Sequence, residues 1–220
     1  MDLKIVVCVK PVPDPEHYNK ITIDLETKRV NRQGIPTIIS PIDKHAIEEA
    51  LKIKEQHGGK VITLSMAPPD AQETIQEALA MGADEAYLLS DRKFGGADTL
   101  ATSYILAEGI KKLGDVDLVL TGTESGDGAT AQVSSQIGEW LEVPHLWGVM
   151  ECQVESKEEV TLKTKIENGH MDWNGKLPMV LAVTREINKP RFTSIMGVMK
   201  AKKKPFIVWG FDDFDELDVR

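Results

Sequence analysis

The segment Thr121-Gly122-Thr123-Glu124-Ser125-Gly126-Asp127-Gly128-Ala129-Thr130-Ala131-Gln132 concentrates the residue types that hold a phosphate. Its three glycines permit tight backbone turns, and its small side chains allow a ligand to approach the main chain closely. A helix starting just after it presents free N–H groups and the positive end of its dipole, a natural site for an anion. No Gly-Lys-Ser/Thr follows, so the loop is not of the Walker type. A structural loop and helix cap remains the alternative to anion binding. A second stretch, Phe94-Gly95-Gly96-Ala97-Asp98-Thr99, also joins a strand end to a helix start. Asp98 or Thr99 suits the cap of that helix. Capping leaves the two glycines unexplained, and backbone lying close to a ligand explains them.

Conventional catalytic sets are missing from the sequence. His17, His45, His57, His145 and His170 have no metal-like spacing with cysteines or carboxylates, and they read as surface residues. Neither a G-x-S-x-G elbow nor a Cys-His nucleophile motif occurs. Trp140, Trp147, Trp173 and Trp209 read as core or interface residues. The pattern is a binding site without a catalyst, so any chemistry would come from a bound cofactor.

Both loops are placed by an alternation of strands and helices. Leu3 to Val9, LKIVVCV, is a β-branched run suited to a strand buried on both faces. After a small hairpin or extended excursion over Ile21 to Arg32, a helix follows Ser40-Pro41. Ala46, Ile47, Ala50, Leu51 and Lys54 form one stripe of that helix, with Asp43 near its start and Gly58-Gly59 past its end. Strands are expected at Val61 to Ser65, Ala86 to Leu89 and Leu118 to Leu120. Helices are expected at Ala71 to Met81, Thr99 to Leu113 and about Thr130 to Leu141. This alternation predicts an α/β fold with a doubly wound, mostly parallel sheet, Rossmann-like or adenine-nucleotide-hydrolase-like. Ligands of such sheets bind in the crevice at the carboxyl ends of the strands, where both glycine loops lie.

The rhythm then changes. Residues 148–175 read as a β-hairpin insert, with Glu167-Asn168-Gly169 as its turn signal, and Leu177 to Val183 returns to the core. Residues 1–187 thus form the expected nucleotide-binding domain, and 188–220 a recognition loop and extended C-terminal tail. That tail holds the basic cluster Lys200, Lys202, Lys203 and Lys204, then the acids Asp212, Asp213, Asp215, Glu216 and Asp218. It reads as mobile or packed on a partner.

Composition bounds the function. With 220 residues, the chain is one domain or one with an appendage, since domains run to about 150 residues. The 35 acidic against 26 basic residues give a net charge of -9, which disfavours nucleic-acid binding. Cys8 and Cys152 alone make no disulfide framework and fit a reducing compartment. The first apolar run is too short for a signal peptide or a membrane span, so a cytoplasmic protein is expected.

Five segments together resemble the β (small) subunit of electron-transfer flavoproteins: VVCVKPVPD (6–14), SPIDKHAIEEALKIKE (40–55), ETIQEALAMGADEA (73–86), GDGATAQV (126–133) and NKPRFTSIMGVMKAKKK (188–204). The segment SDRKFGGADTLATS (90–103) is similar to the subgroup that carries FAD in this subunit and supports electron bifurcation. Most other members hold AMP there. The resemblance implies a heterodimer with an α subunit bearing a second FAD. It also implies electron transfer from NADH to an acyl-CoA-type or other flavin dehydrogenase and to ferredoxin or flavodoxin. Carried over by position, nucleotide contacts fall at Cys8, Ser40, Pro41, Ile42, Asp43 and Met66. Across the glycine loop they fall at Gly122, Thr123, Asp127, Gly128, Ala129, Thr130, Ala131, Gln132 and Val133. Gly95, Gly96, Ala97, Asp98 and Thr99 would lie by an isoalloxazine. In the recognition loop, Arg191, Ile195, Met196 and Met199 would meet the partner, Ile195 as its apolar anchor.

The glycine loop departs from the FAD-bearing pattern at Thr123, Glu124 and Ala129, where relatives place a basic residue, Gln and Asp. Removing a positive charge and adding a negative one weakens the grip on a pyrophosphate. The resemblance further implies a C-terminal arm wrapping the α subunit, which is absent from this sequence. AMP in the crevice, or a regulatory nucleotide-binding module with no redox role, are the alternative readings.

Overall fold

The computed structural model describes residues 1–20, 22–23, 25, 30–31 and 34–218. A nine-stranded sheet runs through it. In chain order its strands are β1 (Leu3–Cys8), β6 (Gly59–Met66), β7 (Glu85–Leu89), β8 (Leu118–Gly122), β9 (His145–Ser156), β10 (Glu159–Ile166), β11 (Gly169–Gly175), β12 (Met179–Val183) and β13 (Phe206–Trp209). Two small ribbons lie apart from it: β2 (Pro11–Pro13) with β5 (Thr37–Ile39), and β3 (Thr22–Ile23) with β4 (Val30–Asn31). The second ribbon is the hairpin expected over Ile21 to Arg32; residues 21, 24, 26–29 and 32 of that span lie outside the described residues.

Strand order is β11-β10-β9-β12-β8-β1-β6-β7-β13, parallel from β9 to β13 and antiparallel from β9 to β11. Alternation within β1 shows why two helical layers form. Leu3, Ile5 and Val7 join one core cluster with Ala46, Ile47 and Ala50 of α1 (Pro41–His57) and Ile75 and Ala78 of α2 (Gln72–Met81). Val6 and Cys8 join the opposite cluster with Ile105 and Ile110 of α3 (Thr99–Lys112) and Ile137 of α4 (Val133–Leu141). A strand covered on both faces must be apolar throughout, which is what LKIVVCV encodes.

Connectivity makes a switch point beside β1. The chain steps from β1 to β6 to β7 on one side, then returns through α3 to β8 on the other. The carboxyl ends of β1 and β8 therefore splay their following loops apart and leave a crevice.

Several expectations are corrected. The helix expected from Thr130 starts at Val133, because Ala129 and Ala131 take left-handed conformations, φ 45° and 54°, that no right-handed helix accommodates. The expected insert is a three-stranded antiparallel extension of the main sheet, with β10 turning into β11 through Glu167 and Asn168. The returning strand begins at Met179 rather than Leu177. Trp140, Trp147 and Trp173 are not core residues, for each remains more than a third exposed.

The tail packs on its own chain. β13 pairs in parallel with β7, from Phe206 against Ala86 to Trp209 against Leu89. Trp209 then stacks on Tyr87 at 4.6 Å between ring centroids and meets Phe214 edge-on at 6.1 Å. Leu217 is buried beside α3's apolar face. Lys112 donates to the Asp213 carbonyl at 2.5 Å, so this acidic stretch is bound through its backbone as well as its charge.

Candidate functional site

Ser40 and Pro41 open α1 at the carboxyl edge of the sheet. Pro41 fits the first helical position, where no N–H is needed. Ser40 holds the N-cap position, yet its hydroxyl makes no capping bond; it is buried and without a partner. Three residues on, Asp43 turns inward. Its Oδ2 accepts from the Lys10 N–H at 2.8 Å, and its Oδ1 accepts from the Gly122 N–H at 3.1 Å. One carboxylate thus bridges the ends of β1 and β8 across the switch point.

Gly122 is the residue this bridge requires. A Cβ there would lie 2.5 Å from both Asp43 Oδ1 and Ile42 Cγ2, too close for either atom. The glycine is therefore a consequence of the carboxylate and the helix beside it.

Burial sets the electrostatics. Desolvation raises the pKa of Asp43 to about 7, outweighing the lowering effect of the two backbone N–H bonds and the Lys10 cation, while Asp127 adds to the rise. Cys8 lies beneath it. Burial first, and the neighbouring Asp43 second, push its thiol up to about 12, so Cys8 stays protonated and serves as an apolar wall.

Lys10 carries the scaffold onward into the glycine loop. Its Nζ bonds Asp127 Oδ1 at 2.7 Å and donates to Ser125 Oγ at 3.0 Å. The chain then passes through left-handed Ala129 and Ala131, and Gln132 returns to the right-handed region just before α4. Such left-handed and right-handed pairs turn consecutive N–H groups toward one point, forming an anion nest. Each left-handed alanine costs about 1 kcal/mol or more, a strain of the kind that collects at binding sites.

The second glycine stretch meets this loop. Asp98 caps α3 by accepting from the Ala101 N–H at 2.9 Å, and Thr99 Oγ1 donates to Gln132 Oε1 at 3.1 Å. Gln136 Nε2 reaches the same hydroxyl at 3.5 Å. Gly95 and Gly96 stand exposed just before this cap. Met66 ends β6 half-buried, packed against the cluster that contains Cys8. The structure thereby links Cys8, Ser40 to Asp43, Gly122 to Gln132 and Gly95 to Thr99 along one edge of the sheet.

A cleft of about 600 Å³ opens at that edge. Ser40, Pro41, Ile42, Thr123 and Glu124 line it together with Trp147, Lys165, Arg185 and Tyr18, whereas Cys8, Met66, Gly95 to Thr99 and Asp127 to Val133 do not. Lys165 is paired with Glu186. Sequence reasoning missed Lys10, Tyr18, Trp147, Lys165 and Arg185. Lys10 sits within the VVCVKPVPD segment and was findable as the one cation beside the end of β1. Trp147, Lys165 and Arg185 converge only through the pairing of β9 with β10 and β12, which no local pattern signals.

The recognition segment lies elsewhere, on the face covered by α1 and α2. Ile195, Met196 and Met199 are exposed on α5 (Ile195–Ala201), while Arg191 is turned inward onto α1. Among the described residues, no helix is long and apolar enough to cross a membrane.

Titration of Asp43 has a testable consequence for the ligand-free chain. Its folded-state pKa of about 7 lies above the ordinary 3.8, so the folded form holds this proton more tightly than the unfolded form. The resulting stability is complete below pH 4 and is lost as pH rises through 7. Between pH 5 and pH 8 the loss should be about 2–3 kcal/mol. Half-buried His145, whose pKa is lowered by burial, gains stability over part of the same window. Comparison with Asp43→Asn, which keeps His145, removes that contribution. Denaturant unfolding should show the wild-type stability falling relative to Asp43→Asn from pH 5 to pH 8; a constant difference would contradict the assignment.

Comparison with known proteins bears on the family. Residues 27–213 match the electron transfer flavoprotein domain. The chain is 46% identical over 212 residues to the caffeyl-CoA reductase-Etf complex subunit CarD of Acetobacterium woodii, covering 96% of this chain and 79% of that protein. It is 43% identical over 213 residues to the electron transfer flavoprotein subunit beta of Clostridium acetobutylicum, covering 97% and 80%. Against the acryloyl-CoA reductase electron transfer subunit gamma of Anaerotignum propionicum, identity is 37% over 216 residues, covering 96% and 78%. The parallel sheet, its switch-point crevice and these matches agree: the chain belongs to the electron transfer flavoprotein family, as a β-type subunit.

Proposed function

We propose that this chain is the small subunit of a cytoplasmic electron-bifurcating flavoprotein, holding FAD in its crevice. With an α subunit it passes electrons from NADH to a flavin dehydrogenase of the acyl-CoA type and to ferredoxin or flavodoxin. The observation that carries the cofactor reading is the Thr99 to Gln132 bond, which joins the Gly95-Gly96 stretch to the glycine loop. One elongated ligand can then touch both, its phosphates on the nest at Ala131 to Val133 and its ring against the exposed glycine backbone. The unpartnered Ser40 hydroxyl offers a further donor, while Cys8 and Met66 supply apolar packing. A bound flavin supplies the conversion of a two-electron hydride into single electrons. The chain's own residues would bind and orient it, and backbone N–H groups within Gly95 to Thr99, other than those of Gly95 and Ala97 that donate to the Arg92 and Phe94 carbonyls, would face negative charge on its ring.

AMP is the second reading, and Glu124 favours it. That carboxylate stands at the cleft wall, and Lys10 is already committed to Asp127 and Ser125. A single phosphate tolerates this arrangement better than a pyrophosphate does. The test is flavin and nucleotide quantitation on the coexpressed α/β complex purified without added cofactor. Two FAD per heterodimer is the expected result; one FAD and one AMP would replace the bifurcating reading with the AMP-bearing carrier.

The docking surface is proposed at the exposed residues of α5. Ile195 is 83% exposed beside Met196 and Met199, an apolar spot with Lys189, Lys200, Lys202 and Lys203 nearby in the chain. Ile195→Ala should slow electron delivery to the dehydrogenase at least tenfold, corresponding to about 1.4 kcal/mol of lost docking energy, with flavin content unchanged. An unchanged transfer rate would remove Ile195 from this role.

A further inference from the structure

The exposed apolar knob after β12 is tied to the fold at both of its ends. Phe192 is 92% exposed and Ile195 83% exposed, so neither side chain is anchored by packing. On the far side, α5 rests on α2 through Gly197, where a Cβ would lie 2.5 Å from the Ala80 carbonyl oxygen. Beyond it, Ala201 is buried in the core and Lys204 Nζ donates to the Leu79 and Ala83 carbonyls at 3.0 and 2.5 Å, which fixes the C-terminal end of this seven-residue helix.

Arg191 supplies the restraint at the N-terminal end. Its backbone N–H and its Nε both donate to Glu48 Oε2, at 3.0 and 2.8 Å, and its Nη2 donates to Glu48 Oε1 at 3.0 Å. Its Nη1 donates to Glu55 Oε1 at 2.7 Å. Glu48 and Glu55 lie two turns apart on α1, so the guanidinium fork is fixed in position and direction. These carboxylates hold the Arg191 pKa well above its ordinary value, chiefly through the Glu48 hydrogen bonds. Asn188 adds a second tie: its Nδ2 donates to the His45 carbonyl and to Glu49 Oε2, both at 2.9 Å. Glu48 and Glu49 are buried, and a buried carboxylate left unpaired is strongly destabilising.

We propose that Arg191 is a positioning residue, clamped to Glu48 and Glu55 of α1 so that residues 192–199 stand at a fixed place beside that helix. The expectation that Arg191 meets a partner directly is replaced by this inward role, since three of its guanidinium nitrogens are engaged within the chain. The first turn of α1, Ser40 to Asp43, builds the cofactor cleft, and its middle turns hold the knob. A single rigid helix therefore sets the position of the knob relative to the cleft. Electron transfer between separate proteins depends on docking geometry, which gives such a restraint its use. That use rests on the docking reading given above; the restraint itself does not.

The test is the distance distribution between nitroxide labels on Thr193→Cys and Asn168→Cys in the full chain, in a Cys152→Ser background, without any partner. With Arg191 intact, one narrow distribution is expected. Arg191→Ala and Glu48→Gln should each broaden it at least twofold, and Arg191→Lys, which keeps the charge but loses the fork, should fall between. The thermal midpoint, recorded alongside, separates this from general destabilisation, which would lower the midpoint without widening the distribution below it. Distributions that coincide for Arg191→Ala and its parent would overturn the proposal; should Arg191→Ala not fold, coincidence in Glu48→Gln and Arg191→Lys would do so. Because no partner is present, failure here is distinct from failure of Ile195 as the docking anchor.

Discussion

The carboxylate of Asp43 has to be removed from water for this sheet to close as it does. It sits where β1 and β8 end side by side, and it accepts the Lys10 and Gly122 N–H groups that those ends would otherwise leave unpaired. Unsatisfied backbone donors in a buried crevice are costly, so the carboxylate stabilises the splayed loops while its own desolvation opposes it. The outcome of that contest is a group that titrates near neutrality. Gly122 and Lys10 take their roles from it: the glycine yields space, and the lysine extends the network to Asp127.

From this junction the site is built outward by short links. Lys10 fixes Asp127 and Ser125, the strained alanines turn the backbone inward, and Gln132 reaches Thr99 at the start of α3. Loops that emerge on opposite faces of the sheet are thereby brought to a common edge. The same helix that delivers Asp43 carries Glu48 and Glu55 along its length, so cleft and knob share one support.

Legibility in the sequence followed the range of the interactions. β1 and α1 were readable because burial on both faces of a strand, and on one stripe of a helix, leaves a local periodic trace. The parallel core and its crevice followed from alternation of such elements. The start of α4 was misplaced because Thr130 to Gln132 are compatible with a helix by type, and only the backbone reveals the left-handed alanines. The run Phe206 to Trp209 is short and set between lysines and acids, so its pairing with β7 more than a hundred residues earlier had no local signal. Charge alone suggested a partner for the tail, whereas Trp209, Phe214 and Leu217 bind it to its own chain. Arg191 was marked as a partner contact, whereas its inward direction depends on Glu48 and Glu55 of α1, far away in sequence.

The account stands on the claim that a nucleotide seats across the switch point, on the ends of β1 and β8. Backbone hydrogen exchange of the chain with and without added FAD or AMP measures this most directly. Slowed exchange is predicted in the peptides covering Ser40 to Asp43 and Gly122 to Ser135, with no change over Cys152 to Glu155, which line a separate cleft with Glu49 and His57. Protection confined to that second cleft, with Gly122 to Ser135 unaltered, would contradict it.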